Sequence, residues 1–186
     1  PAAKASPTVP SAADPQASVN AKVNVRTDLL SAEIDTLGGD IVRLELLAHR
    51  DAVTRDKNMV LFGPQHRYVA QSGLTQPGLP NHRSVFTAEN SAYELKPGED
   101  RLDVVLSATE GGVQVRKTLR FLRGDYRIET RLELSNQGSS PVTTHAYFQL
   151  ARDGADPAGT NSMASTYTGP AVFTPQERFQ KEIGRA

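Results

Sequence analysis

Residues 102–134 read LDVVLSATEGGVQVRKTLRFLRGDYRIETRLEL, and this stretch decides the fold class. Its apolar residues recur at nearly every second position, the period of a β-strand with one buried face. Gly111, Gly112 and Gly124 divide the stretch into three strand-length pieces, because glycine readily adopts turn conformations. In the middle piece Lys117 breaks an otherwise apolar face. The pattern predicts three strands joined by glycine turns.

The same alternation occurs on both sides of this stretch. It runs through residues 22–26, through 30–46 with an interruption at Gly38-Gly39, and through 141–150. Short strands at regular spacing predict an all-β fold, an antiparallel sandwich or barrel with at most one or two short helices. The best helix candidate is Pro175 to Ile183, with Thr174 as a cap and Pro175 at the first helical position.

Composition divides the chain once and excludes several classes of protein. The 186 residues include no cysteine, which excludes disulfides and thiol nucleophiles. The formal net charge is zero without a basic block, so we expect no nucleic-acid partner. Residues 1–21 are rich in alanine, proline and serine and predict a flexible tether, followed by one domain over 22–186. The chain begins at Pro1 and has no apolar run long enough for a bilayer, so we expect a piece of a longer protein.

Ionisable residues give little sign of catalysis. No pair of histidines has metal-ligand spacing, so neither a metal nor another cofactor is predicted. Long polar loops are predicted at 48–58, 72–83 and 152–166. Three histidines lie in or beside loops and are expected to be solvated: His49, His66 and His82. Carboxylates near glycine turns are expected to bind their own backbone, namely Asp35, Asp40 and Asp125. The alternating charges at Arg127, Glu129, Arg131 and Glu133 are typical of a solvated sheet surface.

One row of polar side chains is a candidate binding surface. On the predicted strand 141–150, His145, Tyr147 and Gln149 share a face with Thr143. Such a row fits a polar groove for a sugar or a peptide, or else a half-exposed outer sheet face. The segment 66–74 adds Tyr68 and Gln71 as further cleft candidates.

Four segments, in order, resemble the large periplasmic domain of the YidC family of bacterial inner-membrane insertases. They are TDLL…IDTLGGDI over 27–41, YVAQSGL over 68–74, KTLRF…RGDY over 117–126 and GPA…TP over 169–175. The likeness extends from about Val23 to Glu182. It implies a twisted antiparallel β-supersandwich, similar to galactose mutarotases, that is presented to the periplasm.

The resemblance also implies a function. A domain of this family is not an enzyme; it aids membrane protein insertion by docking to the Sec translocon component SecF and by binding extended substrate segments in a cleft. Nascent membrane proteins are the implied substrates, and the isolated domain is expected to be monomeric. Two alternatives stay open: a carbohydrate-binding or mutarotase-like module that uses His145, and a purely structural spacer.

Overall fold

The computed structural model describes residues 21–64, 68–153, 171–176 and 178–181, and this part of the chain is all-β. The first half supplies β1 (Lys22–Arg26), β2 (Leu30–Asp35), β3 (Asp40–Arg50), β4 (Asn58–Phe62), β5 (Tyr68–Leu74), β6 (Thr87–Ala88) and β7 (Ala92–Glu94). The second half supplies β8 (Arg101–Glu110), β9 (Val113–Leu122), β10 (Ile128–Asn136), β11 (Ala146–Arg152), β12 (Ala171–Thr174) and β13 (Arg178–Lys181). The predicted all-β class is confirmed.

Two sheets form a sandwich. The larger sheet has the order β11-β5-β3-β2-β1-β7, with β4 pairing the outer half of β3. The smaller sheet has the order β10-β9-β8-β6 and contains the predicted run of three antiparallel strands. Strands β10 and β11 are therefore edge strands of their sheets within the described part of the chain.

The core lies between the two sheets because the period-two pattern turns one face of each strand inward. On β9 that face consists of Val113, Val115, Leu119 and Phe121, all buried. From the opposite sheet, Val25, Leu30 and Ile34 join the same apolar cluster. Complete burial of one such side chain contributes about 1.5–3 kcal/mol.

The predicted helix at Pro175 to Ile183 is wrong over the residues that the structure describes. Pro175 and Gln176 lie in a turn, and Arg178–Lys181 is a strand that pairs antiparallel with Ala171–Thr174. Arg178 has a positive φ of 57°, which a right-handed helix does not allow. The local capping signal at Thr174 is overridden here by strand pairing.

Other predictions concern the loops and the ends of the chain. Residues 72–74 belong to β5 and residues 48–50 to β3, so both predicted loops are shorter than expected. The predicted tether falls outside the described residues except for Ala21, and so do His66 and most of the loop at 152–166. Within the described residues, no helix is long and apolar enough to cross a membrane.

Candidate functional site: a cleft between the two edge strands

A cleft of about 210 Å³ opens where the β10–β9 side of the small sheet meets the β11–β5 side of the large one. Five strands line it, namely β3, β5, β9, β10 and β11. The lining residues are Gly39, Ile41, Ala70, Gln71, Ser72, Leu119, Thr130, Phe148, Gln149 and Leu150. Apolar atoms form most of this surface.

Strand β11 forms an apolar rim on the cleft. Phe148 is 59% exposed and Leu150 is 63% exposed, although both are large apolar residues. Tyr147 and Gln149 point the other way, with Tyr147 only 7% exposed. A half-exposed outer face is therefore wrong for Tyr147, because the 75–84 loop covers it. Single exposed apolar residues are common, but two on an edge strand beside a cleft form a surface suited to contacts.

Two glutamine amides and one carboxylate form a hydrogen-bonded chain on the face of the large sheet opposite the apolar rim. Gln71 and Gln149 lie directly opposite each other on the antiparallel strands β5 and β11. Gln149 Nε2 donates to Gln71 Oε1 at 2.9 Å. Gln71 Nε2 in turn donates to Asp40 Oδ2 at 2.9 Å. The chain leads from the half-buried Gln149 on the edge strand β11 to the buried Asp40 at the start of β3.

A buried lysine ties the two sheets together beneath this chain. The Lys117 side chain, 1% exposed, extends from β9 toward the opposite sheet. Its ammonium donates to the carbonyls of Gly38 at 2.6 Å, Ser72 at 3.0 Å and Gly39 at 3.4 Å. We call these three bonds the Lys117 clasp. Because three carbonyls accept from its three N–H groups, the ammonium is satisfied without water.

Asp40 is the counter-ion of the clasp. Its Oδ1 lies 3.8 Å from Lys117 Nζ. Burial raises the pKa of Asp40 to about 6, and the Lys117 charge opposes that rise. Burial lowers the pKa of Lys117 to about 8, and the Asp40 charge opposes that fall. Loss of hydration is thus the larger effect on both groups, as expected for a pair inside a sandwich.

The tight turn Gly38-Gly39 is what lets the clasp close. Gly38 has a φ of 80° and Gly39 a φ of 61°, a region that glycine enters without a steric penalty. A Cβ on Gly38 would lie 2.6 Å from the carbonyl oxygen of His82. A Cβ on Gly39 would lie 3.3 Å from the Lys117 Cδ. The two glycines therefore allow the turn to approach both the lysine and the 75–84 loop.

The structure brings two of the five predicted cleft residues together at the cleft. Gln71 and Gln149 line it and bond to each other. Tyr68 is half-buried and packs against Phe62, with ring centroids 4.6 Å apart and the rings tilted by 51°. His145 is exposed and precedes β11, which begins at Ala146 rather than at 141 as expected. A binding role for any of the five stays a prediction.

Tyr147, the remaining candidate, anchors the loop at 75–84. Its hydroxyl accepts a hydrogen bond from the His82 backbone N–H at 3.1 Å and contacts His82 Nδ1 at 2.5 Å. His82 is 3% exposed, so the expectation that it is solvated is wrong. The physical reason is that the loop folds over Gly73, whose Cα leaves room for Asn81. Burial raises the pKa of Tyr147, which keeps its phenol neutral.

Sequence reasoning missed the two charged residues at the centre of the site. Asp40 was expected to bind its own turn, as Asp35 does when its Oδ1 accepts from the Leu37 N–H at 2.8 Å. Asp40 instead faces Lys117. The one available signal was the lysine on the apolar face of β9.

The predictions for the charged surface of β10 and for His49 are confirmed in the described part of the chain. The pairs Arg127–Glu129 and Arg131–Glu133 are exposed, which confirms a solvated sheet surface. His49 is exposed beside Tyr126, as expected. No group of three or more possible metal ligands occurs among the residues that the structure describes.

The fold and the cleft define an all-β sandwich domain whose two sheets are joined by a buried lysine. The family described as the YidC periplasmic domain matches residues 22–183. The chain belongs to this family of YidC periplasmic domains. The resemblance to the YidC family that the four sequence segments indicated is confirmed.

Relatives from several bacteria share the likeness. The membrane protein insertase YidC of Nitrosospira multiformis is 45% identical over 163 residues, covering 86% of this chain and 29% of the relative. That of Dechloromonas aromatica is 44% identical over 180 residues, covering 96% and 33%. That of Aromatoleum aromaticum is 45% identical over 169 residues, covering 89% and 31%. The chain therefore spans about a third of the length of these relatives.

Proposed function

We propose that this domain is a non-catalytic part of a membrane protein insertase that holds extended segments of membrane proteins in the cleft and docks to the Sec translocon through SecF. The observation that supports segment binding is the cleft itself, with Phe148 and Leu150 exposed along its edge strand. Docking to SecF rests on the family resemblance.

The shape and chemistry of the cleft suit an extended chain better than a compact ligand. Strand β11 has one described neighbour, β5, so its other side offers main-chain groups along the cleft. Strand addition at an edge supplies affinity through main-chain hydrogen bonds, and apolar side chains add contact area. A segment waiting to enter a membrane is rich in apolar side chains and fits such a rim.

Site-specific photocrosslinking in a full-length insertase that contains this chain tests segment binding. A photoreactive phenylalanine analogue at Phe148 should form adducts with a nascent membrane protein. The matched control is the same analogue at Val53, which is 70% exposed at the turn between β3 and β4. Equal adduct yields at the two positions, or none at Phe148, would contradict the proposal.

SecF docking needs its own experiment. SecF should co-purify with the full-length insertase and be lost when residues 22–183 are deleted. Retention of SecF after the deletion would assign docking to another part of the protein.

The carbohydrate alternative is tested by thermal unfolding. A ligand that binds only the folded chain raises the melting temperature. Millimolar galactose or glucose should leave the melting temperature unchanged. A rise that disappears in His145→Ala would favour the carbohydrate module over the proposal.

A further inference from the structure

The main-chain groups of the edge strand β11 point alternately toward β5 and away from it. The Thr75 N–H donates to the His145 carbonyl at 3.0 Å, just before β11 begins. In an antiparallel pair every second residue repeats this arrangement, so the odd-numbered residues of β11 bond to β5. The N–H and C=O groups of Phe148 and Leu150 therefore point to the other side, where the described part of the chain has no strand.

The side chains of the same two residues face the cleft. Phe148 lies opposite Ser72 and Leu150 lies opposite Ala70, and all four residues line the cleft. An antiparallel strand added to β11 would place one residue opposite Phe148 and another opposite Leu150. Directly opposed residues share a face, so these two side chains would enter the cleft. The residue between them would face the opposite side of the sheet, because side chains alternate along a strand.

The distribution of charge favours β11 over β10 as the strand that accepts a partner. None of residues 146–151 is charged, and neither is any described residue that lines the cleft. On β10, the other edge strand beside the cleft, Glu129, Arg131 and Glu133 stand at alternate positions. Charged residues commonly protect edge strands from pairing with another chain. Strand β11 lacks this protection, and the uncharged cleft beside it suits uncharged side chains.

We propose that the cleft selects extended segments with an apolar residue at every second position and binds them as an antiparallel strand on β11. This proposal rests on the proposed function, since it names the class of membrane protein segment that the same site holds. The apolar residues of the segment contact Phe148 and Leu150, and its polar residues stay in water. Antiparallel pairing is slightly more stable per residue than parallel pairing and sets the direction of the segment.

Two peptides of identical composition test the pattern, and isothermal titration calorimetry measures their binding to this chain. One peptide alternates leucine and serine over twelve residues, and the other repeats Leu-Leu-Ser-Ser three times. The first presents leucine opposite both Phe148 and Leu150, whereas the second presents leucine opposite only one of them. The alternating peptide should bind about three- to tenfold more tightly, the value of one partly buried leucine.

The outcomes separate this proposal from segment binding in general. Equal affinities for the two peptides would overturn the selection but support binding of extended segments. No binding of either peptide at millimolar concentration would reject segment binding itself, and the selection with it.

N-methylation of the alternating peptide tests the main-chain bonds. In the proposed arrangement the leucine N–H groups donate to the Phe148 and Leu150 carbonyls, and the serine N–H groups point to solvent. Methylation of every leucine nitrogen should weaken binding about four- to a hundredfold, the value of two hydrogen bonds, and methylation of every serine nitrogen should have little effect. A loss confined to the serine-methylated peptide, or equal affinities of all versions, would overturn antiparallel strand addition.

Proline substitutions test the same bonds from the protein side. The Leu150 N–H points away from β5, so Leu150→Pro removes no hydrogen bond of the sheet. The matched control is Leu134→Pro on β10: the Gln137 N–H donates to the Gly112 carbonyl at 2.8 Å, so the Leu134 N–H likewise points away from β9. Leu150→Pro should weaken binding of the alternating peptide by at least about twofold, whereas Leu134→Pro should not. Equal effects would contradict the assignment to β11; if either variant fails to fold, the peptide comparisons still decide.

A second copy of the chain is the competing occupant of this edge. Analytical ultracentrifugation at the concentration of the binding assay should show a monomer. A dimer that Leu150→Pro dissociates would overturn the proposal, because β11 would then pair with another copy of itself.

Discussion

Replacing Lys117 by methionine tests the central feature of this fold, the clasp that joins the sheets. Methionine keeps most of the length and apolar volume of the lysine stem but has no ammonium. The carbonyls of Gly38 and Ser72 then lose their donor, and Asp40 loses its counter-ion. Removal of one partner from a buried ion pair costs about 3–5 kcal/mol, because the other charge stays buried.

The loss of stability in Lys117→Met should depend on pH, because the charge of Asp40 depends on pH. Lys117 lowers the pKa of Asp40, so its removal raises that pKa beyond about 6. At pH 7 the variant must bury an unpaired carboxylate in place of an ion pair, whereas at pH 5 the carboxyl is neutral. We therefore expect a larger loss at pH 7 than at pH 5.

Urea unfolding followed by far-ultraviolet circular dichroism measures the loss, since the chain has no tryptophan. For a chain of this size, 1 kcal/mol corresponds to about 2–4 °C in melting temperature. The control Lys96→Met removes an exposed lysine and should change stability by less than about 0.5 kcal/mol. The double variant Lys117→Met with Asp40→Asn should regain much of the stability, because no buried charge remains. A loss below about 1 kcal/mol, or one equal at both pH values, would refute the clasp.

Three further predictions concern the turn, the loop and the carboxyl group. Gly98→Ala should lower the free energy of unfolding by about 1–2 kcal/mol, because its φ is 86° although no atom lies near its Cβ. Gly38→Ala should lower it by about 1–3 kcal/mol more, because its Cβ also meets the 75–84 loop. Urea unfolding compares the two variants, and equal losses would contradict the steric argument. Tyr147→Phe should cost about 1–3 kcal/mol and speed amide hydrogen exchange at His82, and unchanged exchange would show that the hydroxyl does not hold the loop. The pKa of Asp40 is raised in the folded chain from 3.8 to about 6, so protonation of Asp40 stabilises the fold. Urea unfolding of the wild type and of Asp40→Asn should be compared between about pH 6 and pH 4. Relative to the variant, the free energy of unfolding of the wild type should rise by on the order of 3 kcal/mol as the pH falls over this range. A difference that is flat with pH would contradict the burial of this group.

Much of the fold could be predicted from the sequence because the buried face of a β-strand consists of every second residue along the chain. The alternation on β8 and β9 identifies Val104, Leu106 and Val115 as buried, and all three are. The Gly38-Gly39 turn between β2 and β3 could be predicted for the same reason, since a glycine pair interrupts two apolar runs.

The errors share one physical cause, which is that the deciding contacts join residues far apart in the chain. The segment after Thr174 has a local helix signal, yet pairing with β12 makes it a strand. His82 lies in a polar loop, yet Tyr147 buries it from 65 residues away. Helix and strand propensities depend on the local sequence and not on such distant partners. They are therefore a weak guide to secondary structure where a segment can pair with another strand.

The candidate site also depends on contacts between residues far apart in the chain, but the sequence contains one sign of it. Lys117 stands out as a charged residue on a buried face, but its acceptor at Gly38 is 79 residues earlier. A lysine in that position must find acceptors or lose its charge, because burial without partners is too costly. The carbonyls of a glycine turn are the acceptors that can approach most closely, since no Cβ keeps the chain away. A lysine within an apolar strand face together with a double-glycine turn therefore indicates a buried clasp. In this chain the clasp joins β9 to the Gly38-Gly39 turn and to β5, so a single ammonium holds together the two sheets between which the cleft opens.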